Sequence, residues 1–248
     1  MELTSTSLRD RVLRAIKDNN LFAQIRRLAY TDPRYYNIDA ALSAVDAIGK
    51  ARSPRFVIDA DNRFVYENFL RWVHGDTSLQ ALDPQTGNVV PGRLTAGIYI
   101  AGPTGSGKSW CLDIMQAYCR AQHFRLQFPY DDKERELTWA TVRADGITDH
   151  YLTSGEIDCY KRIQILGIQD LGNEPQECLY MGNRVDPLRQ LIEYRGDLDN
   201  ELTLITSNLR MVGDKTQARY GDRAVSRLQT MCNYYEMRGA DRRRTPQR

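Results

Sequence analysis

The chain has 248 residues, 42% of them apolar and 27% charged, with a formal net charge of only +2. That usage is globular and excludes a disordered or fibrous chain, and the length fits one core domain with a small extension. The longest apolar run, residues 96–101, is far short of the roughly 20 residues a membrane span needs, and the first residues lack a secretory pattern. No membrane partner is therefore expected, and the expected compartment is cytoplasmic. Cys111, Cys119, Cys159, Cys178 and Cys232 include no C-x-x-C pair, and His74, His123 and His150 show no ligand spacing to them, which argues against a disulfide framework or a zinc site.

Ser7 is placed to cap a helix, and Val12, Leu13, Ile16, Leu21, Phe22, Ile25 and Leu28 recur at three- and four-residue intervals. Residues 7–29 are therefore expected to form one or two amphipathic helices, ended by Thr31-Asp32-Pro33. The pattern over 38–48 predicts a second helix closed by Gly49, and 51–54 reads as a linker. A third helix follows from the stripe Phe64, Val65, Phe69, Leu70, Trp72 and Val73, stopped at Gly75 and read as core. Pro84-Gln85-Thr86-Gly87 predicts a turn or short hairpin.

From residue 97 the pattern becomes strand, Gly-rich turn, helix, with Cys111, Met115 and Cys119 four apart on the helix. Further strands are expected at 125–128, 163–168 and 202–206, with helices at 155–161 and 187–194. Strands alternating with helices predict an α/β fold of three layers with a parallel sheet. It is preceded by a small helical region, so the expected division is 1–54 and 55–248. From residue 210 to 248 about ten Lys and Arg stand against about four Asp and Glu. Such a stretch either faces phosphates or, for Arg242 to Arg244 and Arg248, forms a solvated tail.

Gly102, Pro103, Thr104, Gly105, Ser106, Gly107, Lys108 and Ser109 fit G-x-x-x-x-G-K-[ST], between the apolar strand and the amphipathic helix as the mechanism requires. Glycines let backbone N–H groups converge on phosphate oxygens, and the helix adds its positive N-terminal end. Lys108 would neutralise the β- and γ-phosphates, and Ser109 would place its hydroxyl on Mg²⁺. The expected cofactors are ATP and Mg²⁺.

A phosphate loop of this kind takes a carboxylate from the end of a second strand, and Ile165 to Ile168 followed by Gln169 and Asp170 is the run that offers one. Two adjacent acids are common at this point, one for the metal and one to polarise water, and here the first is Gln169. Either Gln169 takes the metal position and Asp170 polarises water, or Asp170 holds the metal and the base comes from elsewhere. A one-residue register shift decides between them.

With these motifs in order, the chain resembles the DnaC-type replicative helicase loaders and the related IstB-type transposition ATPases, both AAA+ proteins. The resemblance covers roughly residues 56 to 240. Its marks are the loop at 102–109, Ile-Gln-Asp-Leu-Gly at 168–172 in place of Ile-Asp-Asp-Leu-Gly, Ile-Thr-Ser-Asn-Leu at 205–209 and Tyr-Gly-Asp-Arg-Ala-Val-Ser-Arg-Leu at 220–228. The resemblance implies a P-loop AAA+ domain in which Asn208 positions the attacking water. It implies that Arg227, with Arg223 one turn earlier, is presented to a neighbouring subunit's nucleotide in a homo-oligomer. Glu174 matches an acid often found there in the family. Tyr220 and Arg219 could instead touch nucleic acid.

The family further implies a replicative helicase as partner, docked through the N-terminal region with Leu21, Phe22 and Ile25 as contacts, and single-stranded DNA bound by the ATPase layer. That N-terminal region does not match residue by residue, and its amphipathic helix equally suits packing on the core. The rival readings are an IstB-like regulator on duplex DNA and a switch that binds ATP but, lacking an acid at Gln169, hydrolyses it slowly. By the family pattern, little room for a separate helical lid is expected after Arg227.

Overall fold

The computed structural model describes residues 8–18, 26–27, 36–128, 133–198 and 201–242. In chain order the elements are α1 (Leu8–Asp18), β1 (Arg26–Arg27), α2 (Ile38–Arg52), α3 (Arg63–His74), β2 (Gln80–Leu82), β3 (Val89–Pro91), β4 (Gly97–Ala101), α4 (Lys108–Gln122), β5 (Arg125–Gln127) and β6 (Glu134–Glu136). They continue with β7 (Ala140–Arg143), α5 (Ala144–Ser154), α6 (Asp158–Lys161), β8 (Ile165–Leu171), β9 (Cys178–Tyr180), β10 (Asn183–Val185), α7 (Pro187–Gly196), β11 (Leu202–Ser207), α8 (Asp214–Met231) and β12 (Cys232–Glu236).

The main sheet has the order β3-β2-β12-β4-β11-β8-β7. The five strands from β12 to β7 run parallel, and the β2–β3 hairpin adds two antiparallel strands at one edge. Side chains alternate across a strand, so each central strand feeds two cores. Ile98, Ile100, Leu202, Leu204 and Tyr235 point to the layer of α2, α3 and α4, where Phe69, Trp72, Leu112 and Met115 cover them. Tyr99, Ala101, Leu166, Ile168 and Tyr234 point to the opposite layer, where Ile147, Leu188, Leu191, Ala224 and Leu228 come from α5, α7 and α8. The three-layer α/β fold expected from the sequence is the fold observed.

Local chemistry sets the element ends. Asn37 caps α2 by accepting from the N–H groups of Asp39 and Ala40 at 2.8 and 3.2 Å. Asp186 caps α7, with Pro187 following, by accepting from Arg189 N at 2.9 Å. Among the described residues no helix is long and apolar enough to cross a membrane.

Several boundaries differ from the sequence expectation. The helix expected over 7–29 covers Leu8–Asp18, and Arg26–Arg27 instead form a strand paired with β5. Leu21, Phe22 and Ile25 lie outside the described residues, while Leu8, Val12 and Leu13 on α1 are exposed rather than packed on the core. Gly49 does not end α2. The Phe56 ring packs so closely there that a Cβ would collide with it, and the helix runs on through Ala51 and Arg52, the expected linker. The strand expected at 125–128 forms, but in a separate three-stranded antiparallel sheet with β1 and β6. The helix expected over 155–161 is interrupted at its start, because Gly155 is the left-handed end of α5 and α6 begins at Asp158. β7 and β12 were not expected; both are short, and β12 carries Asn233 and Glu236 within an otherwise apolar run.

Candidate nucleotide site

β4 is buried along its whole length and delivers the chain into the loop at 102–107, which opens α4. Gly105 and Gly107 take φ values of +81° and +99°, a region closed to most side chains. Gly107 is also the N-cap of α4 and supplies no side-chain cap, so the first turn presents its N–H groups at the mouth of the loop. Ser106 Oγ is buried and has no hydrogen-bond partner among the described residues, a polar group suited to a further oxygen ligand. Lys108 is 5% exposed, and its Nζ donates to Gly102 O at 2.8 Å, Pro103 O at 2.9 Å and Asn208 Oδ1 at 2.9 Å. These acceptors fix the ammonium against the loop and join Asn208 to it across 100 residues of chain.

β8 resolves the direction of its two polar residues. Gln169 shares its parity with Ile165, whose side chain joins the α2–α4 layer, and its Nε2 donates to Asp113 Oδ1 on α4 at 3.3 Å. Asp170 lies at φ +58°, where β8 loses register with β11 between Ile205 and Ser207, and its N–H donates to Thr206 Oγ1 at 3.1 Å. A non-glycine residue in that region carries a conformational cost. The Asp170 carboxylate meets Arg143 Nη1 at 3.0 Å, and Arg143, at the end of the neighbouring β7, also holds Asp145 at 2.8 Å. These contacts, Asp145 first, push the Arg143 guanidinium above its ordinary pKa.

These groups open into a cavity of about 520 Å³, inside the roughly 300–1,000 Å³ of small-molecule sites. It is lined by residues 104–110, Arg143, Asp170 and Asn208 together with Phe56, Val57, Tyr66 and Arg242. Arg242, for which the sequence leaves open phosphate contact or a solvated tail, lines this cavity. Its guanidinium grips Asp59 through two hydrogen bonds of 2.9 and 2.8 Å, and its backbone N–H donates to Gly105 O at 3.0 Å. The Arg242 hydrogen bonds hold the Asp59 carboxyl below the usual carboxylate range. Arg243, Arg244 and Arg248 lie outside the described residues.

Arg223 and Arg227 do not line this cavity. α8 breaks its helical geometry at Gly221, and beyond the break both arginines reach Asp197 at the end of α7, Arg227 Nη2 at 2.6 Å and Arg223 Nη2 at 3.3 Å. Before the break, Tyr220 is buried and Arg219 turns inward. Glu174, itself buried, accepts from Arg219 Nη2 at 2.7 Å and from the Tyr220 hydroxyl at 2.5 Å. Burial and the adjacent Glu174 push the Tyr220 phenol far up.

Sequence reading missed Arg143, Asp113 and the Phe56–Tyr66 wall. Arg143 had a signal, a lone cation at the end of a short β-branched run; the wall had none, since neither Phe56 nor Tyr66 belongs to a motif.

No protein-family model matches the sequence, and neither does any curated protein. Among solved structures the chain is similar to a candidate primosome component from Streptococcus pyogenes serotype M3, at 18% identity over 75% of this chain and 84% of that one, with a TM-score of 0.48. It is also similar to the DnaC helicase loader, at 14% identity over 73% and 93% of the two chains and a TM-score of 0.47. The replication initiator DnaA bound to AMPPCP and single-stranded DNA matches at 16% identity over 84% of this chain and 51% of that chain, with a TM-score of 0.44. Likeness at this level carries no argument about activity. The strand order, the buried β4 and the glycine loop that opens α4 are this chain's own, and they form a three-layer α/β fold with a glycine-rich loop between a buried strand and a helix.

Proposed function

We propose that the protein is an ATP-binding AAA+ ATPase of the helicase-loader type, which assembles on single-stranded DNA and docks a replicative helicase. The observation that carries the nucleotide part is convergence: Lys108, Asn208 and Asp170, from three separate stretches of sequence, meet in one cavity beside the glycine loop. The helicase and single-stranded DNA rest on the motif resemblance.

In this reading the loop of Gly102, Pro103, Thr104, Gly105, Ser106 and Gly107 wraps the phosphates, with backbone N–H groups of residues other than Pro103 as donors, and Lys108 balances their charge. Ser109 and Asp170 would hold Mg²⁺, which supplies charge neutralisation at the transferred phosphoryl group. Asp170 lies in the cavity and Gln169 turns toward α4, so Asp170 also polarises the attacking water, with Asn208 positioning it. Arg227, with Arg223, serves a neighbouring copy, a role that suits their absence from their own cavity wall. The partner-binding region lies within residues 1–54, and because α2 packs on α4, its docking part falls before Tyr36. The ATPase domain is 55–248 and works in the cytoplasm.

Slow hydrolysis belongs to the same reading, since one acid is absent at Gln169 and the other is tied to Arg143. The IstB-like alternative, a regulator on duplex DNA, shares these motifs.

The test is ATP turnover against protein concentration, with single-stranded, double-stranded or no DNA, beside Lys108→Ala and Arg227→Ala. Turnover that rises with concentration and single-stranded DNA, and fails in both variants, is expected. Stimulation by duplex DNA alone would favour the IstB-like reading, and ATP binding without turnover in any condition would leave a switch.

A further inference from the structure

A triphosphate accounts for only part of the cavity lining. Besides the loop, Lys108, Arg143, Asp170 and Asn208, the cavity is bordered by the aromatic residues Phe56, Tyr66 and Trp110. Phe56 and Tyr66 are buried, and their rings belong to the packed core. Trp110 differs. It is 38% exposed, whereas Trp72 and Trp139, the other tryptophans of the chain, are both buried.

The Trp110 ring is open to the cavity but not loose. It stands in the first turn of α4, directly after Ser109, and the Arg52 guanidinium lies over it, 5.1 Å from the ring centre. Arg52, in the last turn of α2, donates to Asp113 Oδ2 at 2.7 Å, and Asp113 lies three residues beyond Trp110, on the same face of α4. A cation over the face of an indole is attracted by its ring quadrupole. The end of α2 therefore fixes how the ring stands and leaves its remaining surface to the cavity.

The phosphates of a nucleotide held by the loop carry a sugar and a base, which must lie elsewhere in the same cavity. Every nucleobase presents a π-face and stacks on aromatic side chains whatever its edge chemistry. Of the aromatic residues that border this cavity, only Trp110 has a ring with substantial open surface.

We propose that Trp110, held by Arg52, is the stacking surface for the base of the bound nucleotide. This rests on the reading of the cavity as a nucleotide site, and it adds the side chain that senses the nucleoside rather than the phosphates. Arg52 is a positioning residue, acting through the indole ring and touching no nucleotide.

The experiment titrates the full chain with ATP and with inorganic tripolyphosphate, each with excess Mg²⁺, by calorimetry and by tryptophan fluorescence. Losing a ring on which a base stacks typically costs about 5- to 150-fold in affinity. Trp110→Ala is expected to weaken ATP binding by about tenfold and to leave tripolyphosphate binding unchanged, and Trp110→Phe, which keeps a smaller ring, should lose less. Arg52→Gln, which keeps the indole but frees it, should lose part of the ATP affinity and none of the tripolyphosphate affinity. With Trp72 and Trp139 buried, ATP should change the emission of wild type and not that of Trp110→Phe, and tripolyphosphate should change neither. Unchanged ATP affinity in Trp110→Ala would overturn the proposal, as would an equal loss for ATP and tripolyphosphate, the mark of a disturbed helix start. Wild type that binds tripolyphosphate as tightly as ATP would remove the base subsite and keep the phosphate site, whereas wild type that binds neither would remove the nucleotide site itself.

Discussion

The Arg143 guanidinium stands 3.0 Å from the Asp170 carboxylate, at the ends of two adjacent parallel strands and inside the cavity that the phosphate loop opens into. An acid held this way is oriented but partly spent, because a cation already occupies the side that would face water. On the proposed function, Arg143→Ala releases Asp170 and raises DNA-independent turnover several-fold. Asp170→Asn keeps Mg²⁺-independent nucleotide binding and lowers turnover by about 10² or more, the scale of a lost general base. Phosphate-release assays read both, and unchanged turnover in Arg143→Ala would show that the ion pair restrains nothing.

Asp197 gathers Arg227 and Arg223 at the end of α7. If these arginines serve a neighbouring copy, they must leave Asp197 first. Asp197→Asn is expected to shift the rise of turnover to lower protein concentration. Lys108→Ala and Arg227→Ala, each inactive alone, should regain activity when mixed, because one supplies the arginine and the other the intact loop. A mixture as inactive as its parts would rule out action in trans.

Glu174 ties the end of β8 to α8, accepting from Gly172 N at 2.8 Å as well as from Arg219 and Tyr220. Removing one partner of a buried ion pair typically costs about 3–5 kcal/mol, because the other charge stays buried. Asp186 lies 3.5 Å from Arg219 Nη1 and softens the loss, so Glu174→Ala should cost near 3 kcal/mol, about the lower end of that range. Urea unfolding measures it; a change below about 1 kcal/mol would mean that the network contributes little.

His74 carries a pH dependence of stability. It stacks on Tyr36 at 4.0 Å and meets the Tyr118 hydroxyl at 2.8 Å, and burial pushes its pKa down from 6.5 to about 4, against a weaker upward pull from Asp76. Between those values the unfolded chain binds more protons than the folded protein, so stability is intact above pH 6.5 and falls as the pH drops toward 4. The loss should approach about 2–3 kcal/mol, at 1.36 kcal/mol per pKa unit with a discount for partial exposure. Thermal unfolding of wild type and His74→Phe from pH 7 to 4.5 tests this. The variant should show a flatter slope, and parallel curves would show that His74 does not carry it; Asp59 and Asp145, whose pKa values are lowered, lose their contribution only at lower pH, outside this window.

What could be read from the chain alone followed from local signals. The loop at 102–109 announces itself by glycine spacing, and β4, β8 and β11 announce themselves as short apolar runs, since strands buried on both faces need no polar alternation. What escaped depends on tertiary placement. Gly49 reads as a helix stop until the Phe56 ring is seen against it, and Arg242 reads as tail until Asp59, 183 residues earlier, is found beside it. The parity of Gln169 and Asp170 needed the bulge at Ile205/Ser207. No local pattern encodes a contact whose partner lies on another layer.

The phosphate loop's own strand, β4, has β12 as one of its two neighbours, with Cys232 opposite Gly97 and Glu236 opposite Ala101. The loop is then covered from the same direction, where Met237 N donates to Ala101 O and Arg242 N to Gly105 O. A pairing over so long a stretch of chain forms late, because the loop-closure entropy must be met before the contact is gained. During synthesis the first 230 or so residues therefore leave the ribosome with β4 as an open edge and the cavity lacking a wall. On the proposed function, nucleotide capture is expected to follow the pairing of β12 with β4, and a nascent chain stalled before residue 232 is expected to expose an apolar strand edge rather than a complete site.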